Sequence, residues 1–361
     1  MKVSDFQYSF PKELIALKPT AKRSEARLMV WNRSSQTLEH KTFADLPDLL
    51  NPTDLIVVNS SQVLPARFYG VKKTGGQIEG LYLENISAQK IKVWLKGKVA
   101  EGEILEIYGF GNLKVLQREE KAAELEVDAA AFVQFLKKSG EVPVPPYIKI
   151  EREKRQQELL ALADPKDYQS IFAQTVDPKD YSVAAPTASL HFDQELVQNL
   201  KNKGIEFAEL QLAVGEGTFA PILEENLDNH QMHSEKVQIA PSEFEKILKA
   251  KKENRRVIAI GTTVVRSLES AFQRAAIGER IEEFSTKLFI KPPFQFSAVD
   301  AVITNFHWPD STLMALVATF IEADAQGKCA ADLKNHWKKL YETAVHENYR
   351  LFSYGDGMLI L

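Results

Sequence analysis

R-V-I-A-I-G-T-T-V-V-R-S-L-E-S, residues 256–270, changes its period at Gly261. The run 256–260 is short, apolar and rich in β-branched residues, the composition of a buried strand. Beyond the glycine, Val264, Leu268, Ala271, Phe272 and Ala275 recur at helical spacing as far as Gly278. Gly261 allows a tight exit from the strand, and Thr262 or Thr263 is placed to cap the helix. The free amides at such a helix start favour an anionic or hydroxyl-rich ligand. A buried strand that passes through one glycine into an amphipathic helix argues for α/β layers with a largely parallel sheet.

The same alternation extends in both directions. Leu196, Val197 and Leu200 line one face of a helix that Asp193 can cap and Gly204 can end, and a strand follows over 205–212. Phe244, Ile247 and Leu248 mark another helix. A strand over 298–304 leads to a helix carrying Leu313, Leu316, Val317 and Phe320, and Leu333, Trp337, Leu340, Tyr341 and Ala344 mark a last one. Between Ala66 and Tyr147 the texture differs. Short strands over 77–83, 90–95 and 104–108 are punctuated by glycine, and one helix, 129–138, precedes the prolines at 143, 145 and 146. Those prolines read as a stiff connector, and strands at this spacing suggest a small barrel or sandwich.

With 361 residues the chain is long enough for two domains. No apolar run approaches the roughly 20 residues of a membrane span, and the first residues lack the apolar core of a signal peptide. A single cysteine, Cys329, excludes an intrachain disulfide and a cysteine-based zinc site. These features predict a cytoplasmic protein. The net charge of −4 argues against a generally basic surface for nucleic acid, leaving local clusters at 249–256 and 90–98. A solvated helix end or strand face is the simpler reading of both.

Polar residues collect where strands end. Gly261, Thr262 and Thr263 follow one strand. Asn305, His307, Asp310 and Ser311 follow another in N-F-H-W-P-D-S-T-L, and A-V-G-E-G-T-F-A-P follows a third. Ligands of open α/β sheets bind beyond the carboxyl ends of the strands, so three such loops predict one site. Gly215-Glu216-Gly217 does not open an amphipathic helix and therefore lacks the setting of a dinucleotide loop. In N-H-Q-M-H-S-E, residues 229–235, His230 and His233 stand three apart rather than the four usual for a zinc pair on a helix. A strand running on through Lys236–Ile239 puts His233 and Glu235 on one face. Substrate contact or acid–base work, and simple hydrogen bonding in a loop, both remain open for them.

Taken together, V-A-A-P-T-A-S-L-H-F (183–192), V-G-E-G-T-F (214–219), H-Q-M-H-S-E (230–235), A-I-G-T-T-V-V-R-S-L-E-S (259–270), T-N-F-H-W-P-D-S-T-L (304–313) and Y-R-L-F-S-Y-G-D-G-M (349–358) resemble the S-adenosylmethionine:tRNA ribosyltransferase-isomerase family of queuosine biosynthesis. D-F-Q-Y-S-F-P-K-E-L-I-A (5–16), V-L-P-A-R (63–67) and V-P-P-Y-I (144–148) match as well, in order over nearly the whole chain. The resemblance implies a main α/β catalytic domain, residues 1–65 and 148–361, interrupted by a β-barrel domain at 66–147. It implies S-adenosylmethionine as co-substrate, no metal, and as partner a tRNA carrying 7-aminomethyl-7-deazaguanine in the anticodon. Epoxyqueuosine would form on that tRNA while adenine and methionine leave, with the protein acting as a monomer. On this resemblance His233, Glu235, His191 and His307 form the proton-handling set. Thr187, Thr262, Thr263, Asn305 and Ser311 would hold ribose and amino-acid groups, with Gly215, Gly217, Thr218, Gly261 and Arg266 completing the substrate contacts. Arg266 is alternatively an ion-pair residue. Ala213 stands where the family usually has His, Gln62 where it has Arg or Lys, Lys291-Pro292-Pro293 where Tyr-Pro-Gly is common, and Trp308 where Leu is usual. The losses at 213 and 62 keep open a second reading, a tRNA-binding relative with impaired catalysis.

Overall fold

A computed structural model describes residues 1–174, 181–213 and 224–361. The strand Val257–Ile260 is buried at all four positions and lies in the middle of a nine-stranded sheet. The order is Glu283–Thr286, Glu235–Gln238, Glu206–Ala213, Leu55–Asn59, Val257–Ile260, Ala301–Asn305, Gly357–Ile360, Arg27–Asn32 and Thr37–Thr42. The sheet is mixed. Its central block, from Glu206–Ala213 to Ala301–Asn305, is parallel. Both margins are reached through antiparallel pairs, Glu235–Gln238 with its two neighbours on one side and Arg27–Asn32 with Thr37–Thr42 on the other. Helices Pro241–Lys252 and Thr262–Ala276 flank the central strand in sequence, and such helical connections let parallel neighbours pair. Gly357–Ile360 runs antiparallel to Ala301–Asn305 and parallel to Arg27–Asn32.

Most helix ends follow their sequence signals. The Asp193 carboxylate accepts from the Leu196 amide at 2.9 Å, and Gly204, at φ +96°, follows the helix Gln194–Asn202. Ser311 accepts from the Met314 amide at 3.1 Å and starts Thr312–Glu322, a helix buried along most of its length. Thr262 and Thr263 do not cap. Gly261, at φ +93°, is the cap residue, and no side chain takes the first amides. Only glycine reaches that backbone conformation without strain. The prolines at 143–146 also differ from a stiff connector, because Pro146 begins the helix Pro146–Lys154, where its missing amide costs nothing.

Between the third and tenth strands of the chain lies a closed antiparallel barrel. Its order is Arg67–Lys72, Gln77–Ser87, Lys90–Lys96, Ala122–Glu126, Gly111–Glu119 and Ile104–Ile107. Lys90–Lys96 alternates lysine outward with Ile91, Val93 and Leu95 inward, which is why the lysines alternate in sequence. The helix Ala129–Ser139 packs on this core through Phe132, whose ring lies 5.2 Å from Phe68 and 5.1 Å from Phe110. The basic cluster near residue 250 is largely neutralised: Lys251 meets Asp300 at 2.7 Å, Arg255 meets Glu206 at 3.3 Å, and Arg256 pairs with Asp54. Among the described residues no helix is long and apolar enough to cross a membrane.

Candidate active site

At the carboxyl ends of Val257–Ile260 and Ala301–Asn305 a cavity of about 550 Å³ opens. Its volume suits a nucleoside-sized ligand. Gly261, Thr262 and Thr263 bring an uncapped helix start to it, and Asn305, His307 and Ser311 come from the next strand exit. Thr187 completes the polar corner, donating to Asn305 Oδ1 at 2.9 Å. The Asn305 amide nitrogen donates to the Phe352 carbonyl at 3.1 Å, which fixes the way the amide points. Phe352 sits at φ +71°, a strained conformation for a bulky residue that this bond helps to hold. Tyr147, Trp308 and Phe352 give the same cavity an aromatic wall.

His307 is held from several directions. Tyr8 donates to its carbonyl at 2.7 Å, its amide donates to the Tyr341 hydroxyl at 3.3 Å, and its Nε2 lies 2.8 Å from Thr304 Oγ1. Burial pushes its pKa down to about 4, so the imidazole is neutral near pH 7 and acts there through hydrogen bonds rather than as a cation. Glu235 and Arg266 form a buried ion pair. Burial pushes the Arg266 guanidinium down to about 10, and its Nε has no hydrogen-bond partner among the described residues. Arg266 shares a small void with Met232, Thr262, Thr263 and Leu313, and the last three also line the main cavity. The pair therefore stands one layer behind the helix start.

The structure thus gathers Thr187, Gly261, Thr262, Thr263, Asn305, His307 and Ser311 around one cavity, with Arg266 and Glu235 close behind. It does not bring the other two histidines there. His191 is buried, stacked on Phe43 at 4.1 Å, with its ring nitrogens 2.8 Å from the Gly355 carbonyl and 3.1 Å from that of Ala188. Burial lowers its pKa, and its contacts brace the segment that carries Phe352 and Ser353. His233 is exposed and precedes the strand, which starts only at the buried Glu235, so the two do not share a strand face. His230 Nδ1 lies 2.9 Å from Glu224. Among the described residues no three His, Cys, Asp or Glu side chains cluster as a metal-ligating group. Gly215, Gly217 and Thr218 lie outside the described residues, and Ala213 ends the strand Glu206–Ala213.

Tyr147, Phe352 and Ser353 were not among the sequence candidates. The available signal was their place in V-P-P-Y-I and Y-R-L-F-S-Y-G-D-G-M, two motifs with no function attached. Tertiary closure gives them one: the Tyr147 hydroxyl lies 2.6 Å from Ser353 Oγ and accepts from the Ser353 amide at 3.1 Å.

Comparison with known proteins identifies the family. The family model described as "Queuosine biosynthesis protein" matches residues 3–360. The S-adenosylmethionine:tRNA ribosyltransferase-isomerase of Carboxydothermus hydrogenoformans is 41% identical over 369 residues, covering 100% of both chains. That of Aquifex aeolicus is 40% identical over 365 residues, again covering 100% of both. The crystal structure of the S-adenosylmethionine tRNA ribosyltransferase from Thermotoga maritima, 31% identical, matches 99% of this chain and 100% of its own with a TM-score of 0.52. The chain belongs to the queuosine biosynthesis protein family, that of the S-adenosylmethionine:tRNA ribosyltransferase-isomerases.

Proposed function

We propose that this protein transfers and isomerises the ribosyl part of S-adenosylmethionine onto 7-aminomethyl-7-deazaguanine at the tRNA wobble position, giving epoxyqueuosine-tRNA with release of adenine and methionine. The observation that carries this reading is the single cavity that a neutral histidine, a fixed Thr187–Asn305 pair and an uncapped helix start share with an aromatic wall. Two of these parts suit pieces of the co-substrate. Uncapped amides at Thr262 and Thr263 suit the amino-acid carboxylate. The Thr187 hydroxyl and the Asn305 amide suit ribose hydroxyls.

When bound, the co-substrate supplies a sulfonium that acidifies the adjoining ribose methylene. The protein has to place a proton acceptor there and a donor or hydrogen bond at the departing adenine. His307, neutral and fixed by Thr304, reaches the cavity as a hydrogen-bonding group. Glu235 acts through Arg266, holding the helix start and its charge in place. On this reading residues 66–147 are an inserted unit on a catalytic frame of 1–65 and 148–361, and the enzyme works in the cytoplasm, where tRNA is modified.

The test is single-turnover adenine release from S-adenosylmethionine and tRNA bearing the aminomethyl-deazaguanine. Release that requires both substrates supports the reading. No release at high enzyme concentration, with tRNA binding intact, overturns it in favour of a binding protein. The family resemblance also implies that no metal takes part, so release should survive exhaustive chelation on prefolded tRNA.

A further inference from the structure

Four aromatic rings meet at the mouth of the cavity. Trp308 stacks on Tyr147, with centroids 5.5 Å apart and planes at 27°, and leans on Phe352 at 4.7 Å and 37°. Phe10 meets the indole edge-on at 5.5 Å. Ser353 pins Tyr147 beneath it through the two hydrogen bonds already described. The platform is rigid, yet Trp308 is 43% exposed, whereas Thr304 and Asn305 in the polar corner are 1% and 2% exposed. Of the four tryptophans, Trp31 and Trp337 are buried in the core. What sets this indole apart from other exposed side chains is its place: it lines the cavity and is packed against two further rings that line it.

Lys12, Lys18 and Lys149 lie on segments tied to those that carry the platform. Lys149, two residues from Tyr147, turns its ammonium to a neutral group, the Tyr69 hydroxyl at 3.4 Å. The Lys12 carbonyl accepts from Arg155, just past the helix Pro146–Lys154, and the Lys18 carbonyl accepts from Arg350, two residues before Phe352. Among the described residues, Lys12, Lys18 and Lys149 form no salt bridge, unlike the basic cluster near residue 250.

We propose that Trp308 is the stacking platform for the tRNA base that enters the cavity, with Lys12, Lys18 and Lys149 meeting the flanking phosphates. This rests on the function proposed above. The geometry favours the RNA base over the adenine of S-adenosylmethionine. The reacting ribose must lie near His307 and the polar corner, in the depth of the site, while a base tethered to a polymer arrives from the mouth. That base also loses its own stacking partners when it leaves the anticodon, and an exposed aromatic face replaces them.

The experiment uses the full chain and an anticodon stem-loop carrying 7-aminomethyl-7-deazaguanine, with an abasic wobble position as control. Titrating the stem-loop should quench tryptophan fluorescence in the wild type, and Trp308→Phe should lose that quench. Trp308→Ala should weaken stem-loop binding about 10-fold, the scale of one base–aromatic stack, and Trp308→Phe much less. The abasic stem-loop should bind wild type and Trp308→Ala equally. Affinity for S-adenosylmethionine should be unchanged in Trp308→Ala. The proposal is overturned if Trp308→Ala binds the intact stem-loop as tightly as wild type, if it weakens the abasic stem-loop equally, or if only S-adenosylmethionine quenches the indole. Failure of the underlying function reads differently: the wild type then binds the stem-loop and releases no adenine.

Discussion

Two buried arginine–carboxylate pairs back this cavity, and they are built differently. Arg152, on the same helix as Tyr147, engages four of its five N–H donors. It meets Asp164 with both terminal nitrogens, at 2.6 and 2.8 Å, and the Leu17 carbonyl through Nε and Nη2 at 3.1 and 2.7 Å. Tyr354 adds a hydroxyl to Asp164 at 2.8 Å. Arg266 sits behind the helix start and pairs with Glu235, but its Nε lacks a hydrogen-bond partner among the described residues and a void adjoins it. The electrostatics follow. The Asp164 contacts raise the Arg152 pKa above its ordinary value despite burial, whereas burial lowers that of Arg266 to about 10. The first pair is the structural one. The pair next to the ligand cavity, whose guanidinium is pushed down by burial, is the better candidate for a role in turnover.

The sharpest way to break this contrast is Asp164→Ala. It leaves a fully buried guanidinium uncompensated and should cost about 3–5 kcal/mol of stability, read by denaturant unfolding, while turnover per folded molecule stays near wild type. Glu235→Gln should do the reverse. Turnover in the adenine-release assay should fall about 100-fold, the scale of misplacing a reacting group by about 1 Å, with a smaller stability loss because the amide still accepts from Arg266. If Glu235→Gln loses mainly stability and Asp164→Ala mainly turnover, the assignments must be exchanged.

The next effect is a pH dependence. The folded-state pKa of His307, about 4, lies below the ordinary value near 6.5, so the unfolded chain binds more protons between the two. Its contribution to stability is complete above pH 6.5 and is lost as the pH falls towards 4, and His191 acts in the same direction. Unfolding midpoints from pH 7 to 4 should therefore drop less steeply for His307→Gln than for wild type. An identical slope would show that His307 titrates normally. The smallest effect separates the two basic regions. Lys149→Glu should reduce the logarithmic salt slope of tRNA binding by at least roughly 1, whereas reversing Lys251, already held by Asp300, should leave it unchanged.

Much of this was legible because local chemistry and fold agree. The period change at Gly261, the Asp193 and Ser311 caps and the glycine-punctuated strands of the barrel each need only a few neighbouring residues. The polar corner was legible too, since strand exits of an α/β sheet converge whatever their sequence distance. What escaped depended on distant contacts. Nothing near Tyr147 announces Ser353, 206 positions on, as its hydroxyl partner. Nothing near His191 shows that both of its nitrogens will meet carbonyls. Strand alternation suggested that His233 and Glu235 would act together, but the strand begins too late for His233 to join it.

The strand Gly357–Ile360 lies between Ala301–Asn305 and Arg27–Asn32, not at a margin. During synthesis the strands near residues 27–42 emerge more than 300 residues before the segment that joins them to the rest of the sheet. Until then that early hairpin has no neighbour on its inner side, and its row of unpaired amides and carbonyls is open to wrong partners. The barrel, whose strands are contiguous in the chain, has no such wait. Vectorial folding on the ribosome should therefore complete the inserted barrel first and the catalytic frame last, when residues 357–360 slot into the gap like a keystone.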